Sequence, residues 1–325
     1  MAAMLTLRDL NVRIHKSRGS LHAVRGVDLT VSKGTVHCLV GESGCGKSLT
    51  LLSILGLHGA NIHTSAQCAE LAGSPLDIND RRQLEGLRGN RIGMIFQDPM
   101  TAFNPTLTIG EQLVEIHRKH KKQGRDVARA RAIALLEKVG ISSAQSRLGQ
   151  YPHELSGGLR QRAMIAMALM CEPDLLLADE PTTALDVTVQ SQVLHLLKTL
   201  KDELGLSIVL VTHDLGVVAA IADEVTVMYA GKVVETGTVA ELFEHPRHPY
   251  TAALFQCIPT LDDLETGRRL QTIPGRVPVL DRVLEGCAFF ERCTVNTDAC
   301  KVGEIELLAT SATGRTRCLH YKPSA

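Results

Sequence analysis

The chain has 325 residues, 44% of them apolar, and its 35 basic side chains balance 35 acidic ones. This length predicts about two domains with enough apolar residues for a core. The neutral balance argues against binding to a polyanion, so we expect no nucleic-acid partner.

No apolar run approaches the roughly 18 residues that cross a bilayer. No leader with a basic and then an apolar segment is visible at the N-terminus, so we expect a cytoplasmic protein. Its nine cysteines are then thiols or metal ligands rather than a disulfide framework.

Short β-rich runs fill the first 40 residues. Strands are predicted at 5–14, 27–31 and 36–40, with turn sequences between them. These strands lead directly into a glycine-rich loop.

That loop fits the pattern G-x-x-x-x-G-K-[ST] and is followed by an apolar helical pattern, which is the strand, loop and helix order of a phosphate cradle. Glycines let successive backbone N–H groups turn inward, and the helix N-terminus adds partial positive charge. We expect Lys47 to reach the β- and γ-phosphates of a nucleotide and Ser48 to bind Mg²⁺. The same helix N-terminus should lower the pKa of the Cys45 thiol. The predicted nucleotide-binding residues of the loop are Gly41, Glu42, Ser43, Gly44, Cys45, Gly46, Lys47, Ser48 and Leu49.

Between residues 91 and 170 the pattern is mainly helical. A strand is predicted at 91–97, ending in Gln97. The stretch 108–140 reads as helical throughout, and we interpret its basic middle, 118–125, as a solvated helix face. A further helix runs to residue 170 and opens on Leu155-Ser156-Gly157-Gly158-Leu159.

A fully apolar run at 175–178 and a second buried strand predicted at 207–211 lie on either side of a helix predicted at 187–204. The first ends in Asp179 and Glu180, and the second ends before His213. Such runs are typical of central parallel strands. Strands alternating with helices predict an α/β fold whose ligands bind at the carboxyl ends of the strands.

In this order the motifs resemble those of the ATP-binding cassette (ABC) family, over roughly the first 240 residues. Gln97 matches the family's glutamine loop, the segment from Leu155 the signature sequence, Ala184-Leu185-Asp186 the D-loop and His213 the switch histidine. The resemblance implies a P-loop ATPase with a parallel or mixed sheet, an antiparallel β lead-in and a helical subdomain at about 98–170.

The resemblance also implies a role for each residue, in a reaction where positioning and electrostatics dominate. Asp179 and Gln97 would help Ser48 to hold Mg²⁺, Glu180 would polarise the attacking water, and His213 would contact the γ-phosphate. The signature residues Ser156, Gly157 and Gly158 would bind the γ-phosphate of the nucleotide on an opposite subunit.

One departure concerns adenine. Cassettes commonly stack the base on an aromatic residue before the phosphate loop, whereas the first aromatic residue here is Phe96. His15, Arg18 or His22 are the alternatives for stacking.

Beyond about residue 240 the periodicity weakens, and we place a boundary between a nucleotide-binding domain, 1–240, and an extension, 241–325. The segments His-Pro-Arg-His-Pro-Tyr-Thr (245–251) and Ile-Pro-Gly-Arg-Val-Pro (273–278) resemble those of dipeptide and oligopeptide importers. The first of them could equally be a stiff proline-rich linker.

The resemblance implies an ATPase bound peripherally to the cytoplasmic face of the inner membrane. It would pair with a second, homologous ATPase subunit and dock on two membrane permeases. A peptide-binding protein would deliver the substrate to the permeases. The same machine could carry nickel or another small solute. A soluble ABC protein acting on nucleic acid or ribosomes is less favoured by the neutral charge.

Four cysteines of the extension, Cys287, Cys293, Cys300 and Cys318, suit a metal site. A region this small buries little apolar surface of its own and needs a stabilising cross-link. Their spacing leaves metal and free thiols equally open, while the resemblance implies a [4Fe–4S] cluster, with Zn²⁺ as the alternative. We expect nucleotide binding to survive the loss of this site, because the nucleotide-binding domain has its own core.

Overall fold

The computed structural model describes residues 2–17, 19–183, 185–258, 272–280 and 284–321. Two residues singled out above, Arg18 and Ala184, lie outside these ranges. The chain divides into a first compact unit, residues 1–4, 31–36 and 80–211, and a second compact unit, residues 5–30, 37–79 and 212–325. Both units are discontinuous in sequence, and the boundary near residue 240 stays a prediction.

The β-strands found in the described ranges follow in chain order. They are β1 (Ala3–His15), β2 (Ser20–Ser32), β3 (Val36–Val40), β4 (Ile62–Ser65), β5 (Cys68–Leu71), β6 (Ser74–Pro75), β7 (Ile92–Ile95), β8 (Leu175–Asp179), β9 (Ser207–Thr212), β10 (Glu224–Tyr229), β11 (Lys232–Thr238), β12 (Leu308–Ala309) and β13 (Arg315–Thr316).

The α-helices of the same ranges are α1 (Lys47–Ile54), α2 (Arg81–Leu87), α3 (Pro99–Ala102), α4 (Ile109–Lys121), α5 (Arg125–Lys138), α6 (Ala144–Arg147), α7 (Gly157–Ala168), α8 (Val187–Leu204), α9 (Leu215–Ile221), α10 (Val239–Glu244) and α11 (Pro249–Gln256). Short 3-10 helices lie at Pro152–Glu154, Phe290–Arg292 and Asp298–Lys301. None of the described helices is long and apolar enough to cross a membrane.

In the first unit, strands β7, β8 and β9 pair in parallel with β8 in the middle. β7 and β8 are buried along their whole length, as is β9. Continuous apolar runs take this position because both faces of a parallel strand are covered. The predicted parallel sheet is therefore confirmed, and the register places Asp179 beside Val211 at the carboxyl ends of β8 and β9.

The helical pattern predicted over 108–140 corresponds to two helices, α4 and α5, with a break between them. Helix α4 ends at a left-handed residue, Lys122, with φ of 54°. Helix α5 then begins after Gly124. The basic run thus contains a break, and its N-terminal half fills the last turn of α4, where cations complement the helix dipole.

The second unit contains two sheets. One is antiparallel, with the order β2-β1-β5-β6 and with β4 also paired to β1. The other carries the order β12-β13-β11-β10-β3 and is mixed, because β10 and β3 pair in parallel. The antiparallel lead-in is confirmed, and β3, buried throughout, carries the glycine-rich loop at its carboxyl end.

The segment 245–251 is folded into the second unit rather than forming a linker. Glu235 of β11, only 2% exposed, accepts hydrogen bonds from the backbone N–H groups of Arg247, at 2.6 Å, and His248, at 2.9 Å. His248 in turn caps α11 by accepting the Tyr250 N–H at 3.0 Å. Both aromatic side chains are buried.

Burial of His248 makes the second unit sensitive to acid. Burial lowers the pKa of the imidazole from 6.5 to about 3. Because this pKa is depressed on folding, the stability contributed by neutral His248 is complete above pH 6.5 and is lost as the pH falls towards 3. Between pH 7.5 and 4.5 the loss amounts to about 2.7 kcal/mol, at roughly 1.36 kcal/mol per pH unit.

His248→Asn keeps a capping acceptor but removes the titration. We therefore expect a smaller decrease in the free energy of unfolding between pH 7.5 and 4.5 than in the wild type, measured by urea denaturation. His195→Asn, at an exposed position of α8, should keep the wild-type dependence. If His248→Asn showed the wild-type pH dependence of the free energy of unfolding, titration of His248 would not be its cause.

Candidate functional site

The glycine-rich loop approaches neighbouring backbone too closely for side chains at two positions. Gly41 has φ of +148°, and a Cβ there would lie 2.2 Å from the Met228 carbonyl oxygen. At Gly46, with φ of +100°, a Cβ would lie 2.7 Å from the Ala23 carbonyl oxygen. The glycine pattern is thus required by packing as well as by ligand approach.

Lys47 begins α1 and folds back over the start of the loop. Its ammonium donates hydrogen bonds to the carbonyl oxygens of Gly41, at 2.7 Å, and Glu42, at 3.0 Å. The side chain is buried, whereas Ser43 and Gly44 at the crest of the loop are exposed. A fixed cation, an N-terminal helix turn and accessible backbone N–H groups together suit an anionic ligand. Ser48 and Leu49, in the first turn of α1, are half-buried.

The expectation of a lowered pKa for Cys45 is wrong. The residue is 1% exposed, and burial raises the pKa of its thiol despite Lys47 Nζ at 3.6 Å from the sulfur. Desolvation disfavours the thiolate more than one nearby cation favours it. Cys45 is therefore a packed thiol.

Glu42 is held by residues far along the chain that sequence patterns did not identify. Arg292 forms a two-pronged ion pair with its carboxylate, at 2.6 and 2.9 Å. The Glu42 N–H donates to the Tyr250 hydroxyl at 2.9 Å. The only signals in the sequence were the tyrosine of segment 245–251 and the arginine between Cys287 and Cys293.

The first unit brings together Gln97 and Glu180. The Gln97 amide donates to a Glu180 carboxylate oxygen at 3.1 Å, and the Thr183 hydroxyl donates to the same oxygen at 2.9 Å. Glu180 has a positive φ of 45°, and its N–H donates to Val211 O at 2.9 Å. Asp179, 7% exposed, ends β8. Two carboxylates in sequence, one buried and one held by neutral donors, suit metal and water chemistry.

Ser156, Gly157 and Gly158 open α7 in the same unit. The Ser156 hydroxyl caps the helix by accepting the Leu159 N–H at 3.4 Å. Ser156 and Gly157 are exposed. This helix N-terminus is accessible to a ligand carried by another molecule.

The predicted histidines lie in the second unit, as does the glycine-rich loop. His213 is exposed and directly follows β9. His15 packs edge-on against His63, with ring centroids 4.7 Å apart, while His22 Nε2 lies 3.0 Å from Asn11 Oδ1. Burial, aided by Arg13, lowers the pKa of His22, which favours a neutral ring.

The four cysteines of the extension line a single cavity of about 10 Å³, together with His320. Burial, followed by the nearby sulfurs of the other three, raises the pKa of Cys287 to about 11. Among the residues that the structure describes, no group of three or more His, Cys, Asp or Glu is arranged to hold a metal ion. All four cysteines line this one cavity, whose volume is about that of one water.

Comparison with known proteins places two family models on the chain. One, described as ABC transporter, matches residues 24–183. The other, described as oligopeptide/dipeptide transporter, C-terminal region, matches residues 234–300.

Relatives match along nearly the whole chain. It is 47% identical to the oligopeptide transport ATP-binding protein AppD of Bacillus subtilis, over 99% of this chain and 98% of that protein. It is 46% identical to the oligopeptide transport ATP-binding protein OppD of Haemophilus influenzae, over 93% of each.

Solved structures match the fold. CbiO1 of Clostridium perfringens, part of an ABC transporter complex, is 29% identical with a TM-score of 0.64, over 75% of this chain and 92% of that one. The ATP-binding cassette MJ0796, a dimer in a post-hydrolysis state with ADP and Pi, is 27% identical with a TM-score of 0.64, over 73% and 99%.

The buried state of Cys45 predicts slow alkylation. With N-ethylmaleimide at pH 7.5, Cys45 of the native protein should label far more slowly than half-buried Cys68, because it is covered and its thiolate is scarce. Adding MgATP should leave this slow rate unchanged. Peptide mapping by mass spectrometry measures both sites, and denatured protein, in which both label, is the control. Rapid labelling of Cys45 that MgATP suppresses would contradict this result.

Proposed function

Because the chain belongs to the ABC transporter family, we propose that it is the ATP-hydrolysing subunit of an importer for dipeptides or oligopeptides. The observation that carries this proposal is the glycine-rich loop of the second unit. Its backbone fits closely at Gly41 and Gly46, and it presents Lys47, a helix N-terminus and an exposed crest to an anion.

The proposed chemistry divides the residues by role. Lys47 and the loop bind the phosphates. Ser48, Gln97 and Asp179 would hold Mg²⁺, which would neutralise phosphate charge, and the oxygen donors of this set suit a hard cation. Glu180 orients the attacking water, and its contact with Gln97 supports that role. His213 contacts the γ-phosphate.

The peptide substrate rests on the extension. The match over residues 234–300 belongs to the C-terminal region of oligopeptide and dipeptide transporters. The relatives described above are named for oligopeptide transport, which leaves nickel as the less favoured cargo. We keep the proposed division into a nucleotide-binding domain, 1–240, with a helical subdomain at 98–170, and an extension, 241–325.

The proposed assembly contains two membrane permeases, a second ATPase subunit and a peptide-binding protein, with this chain on the cytoplasmic face of the inner membrane. The exposed N-terminus of α7 supports the pairing, since Ser156, Gly157 and Gly158 would contact the nucleotide of the partner ATPase. A homologous rather than identical partner is part of the proposal.

We also propose that Cys287, Cys293, Cys300 and Cys318 hold a [4Fe–4S] cluster, with Zn²⁺ as the alternative. Support comes from the position of the four cysteines, which all line one cavity. Thiolates are the usual ligands of such clusters, which when bound would cross-link the extension.

The proposed role of Glu180 is tested by Glu180→Gln, which keeps the side-chain shape but removes the charge. In the assembled complex we expect MgATP binding to persist and phosphate release to fall by roughly 10²–10⁴-fold. Lys47→Ala should instead lose binding. Glu137→Gln, on an exposed position of α5, is the matched control and should turn over normally. Near-native turnover in Glu180→Gln would rule out Glu180 as the water-orienting residue.

The metal proposal is tested by purification without oxygen. A [4Fe–4S] cluster should colour the protein brown, and replacing any one of the four cysteines by Ser should reduce that absorbance. Cys257→Ser, outside the cavity, should not. A colourless protein with one zinc per chain would exclude the cluster but keep the metal, and four free thiols without metal would exclude both.

A further inference from the structure

Two residues from separate segments beyond β11 contact Glu42, the second residue of the glycine-rich loop, and a third segment contacts one of the two. Tyr250 accepts the Glu42 N–H, and Arg292 binds its carboxylate. The carbonyl oxygens of Ile273 and Pro274 accept hydrogen bonds from the same Arg292 guanidinium, at 3.2 and 2.8 Å. All of these residues lie in the second unit.

The Arg292 guanidinium has five N–H donors in a rigid fork. They reach five acceptors, which are the two Glu42 oxygens, the Ile273 and Pro274 carbonyls, and the Tyr229 hydroxyl at 3.2 Å. The side chain is only 5% exposed. A fully satisfied, buried guanidinium has one low-energy orientation, so it fixes the Glu42 carboxylate in place.

Each polar group of Glu42 therefore has a hydrogen-bond or ion-pair partner. Its carboxylate is bound by Arg292, its N–H by Tyr250 and its carbonyl by the Lys47 ammonium. The last contact connects the extension to the cation of the loop through a single residue. A displacement of Glu42 moves the carbonyl that Lys47 binds, and with it the path of the loop backbone.

We propose that Arg292 and Tyr250 are positioning residues that hold the glycine-rich loop in its nucleotide-binding conformation, so that MgATP affinity depends on the extension. This inference rests on the proposed ATPase function. It concerns Arg292 and Tyr250, and not the four cysteines, whose loss nucleotide binding is expected to survive.

The test measures MgATP binding to the purified full-length chain by equilibrium dialysis. Arg292→Ala should weaken binding by about tenfold, within the roughly 5- to 150-fold range of coupled sites. Arg292→Lys, which restores the charge but not the fork, should recover part of the affinity. Tyr250→Phe removes only the hydroxyl and should also weaken binding, which keeps the test valid if Arg292→Ala folds poorly.

Arg276→Ala is the matched control, because it removes the same side chain from an exposed position of the adjoining segment 273–278. It should bind MgATP like the wild type. The double variant Glu42→Gln/Arg292→Ala should bind MgATP no more weakly than Arg292→Ala alone, since both changes break the same ion pair.

A second readout separates positioning from mere stabilisation. In the assembled complex the KM for ATP should rise in Arg292→Ala and Tyr250→Phe while kcat stays near the wild-type value. A lowered melting temperature with unchanged KM and unchanged MgATP affinity would overturn the inference, as would an equal effect of Arg276→Ala. If the wild-type chain itself fails to bind MgATP, the proposed function fails instead.

Discussion

The second unit depends on a backbone approach that leaves no space for a side chain in the glycine-rich loop. Gly41 lies against the Met228 carbonyl of β10, and Gly46 lies against the Ala23 carbonyl of β2. The loop also accepts a hydrogen bond at Cys45 O from the Gly231 N–H, at 3.1 Å. Strand β2, the loop and the turn after β10 are thus joined through main-chain atoms, so that the shape of the loop is determined by the two sheets around it.

The turn after β10 has a demanding conformation of its own. Ala230 and Gly231 both have positive φ, of 47° and 81°, as tight β-hairpin turns of this kind require. The Ala230 carbonyl accepts two hydrogen bonds from the buried Arg25 guanidinium, at 2.9 and 2.7 Å. This arrangement offsets the strain at Ala230 and keeps the turn against the loop.

The sequence was sufficient for the parts of the molecule that depend on local pattern. The glycine-rich loop, the buried runs of β3, β8 and β9, and helix α8 could each be predicted, because burial on both faces and helical periodicity leave clear traces. The break at Lys122 was not predicted, because a left-handed conformation is uncommon for lysine, although Gly124 is a turn signal two residues later. The pKa direction of Cys45 was also missed, because burial by distant chain segments decides it. The contact between Arg292 and Glu42 could not be predicted from the sequence for the same reason, since 250 residues separate the two partners.

The energetics of the contact between Arg292 and Glu42 indicate what it is suited to do. The Arg292 side chain is 5% exposed and the Glu42 side chain 27% exposed. Taking a charge out of water costs up to several kcal/mol, and the attraction within a largely buried pair often only balances that cost. A buried ion pair is therefore weak evidence for added stability. The same pair depends strongly on geometry, because leaving some N–H donors of the buried guanidinium without acceptors costs free energy. Lysine could supply the charge at position 292 but not five directed donors. Every N–H donor of the Arg292 guanidinium is used, and its carboxylate partner, Glu42, directly follows Gly41. The contact is thus better explained by the position that it imposes on the loop than by the stability that it adds.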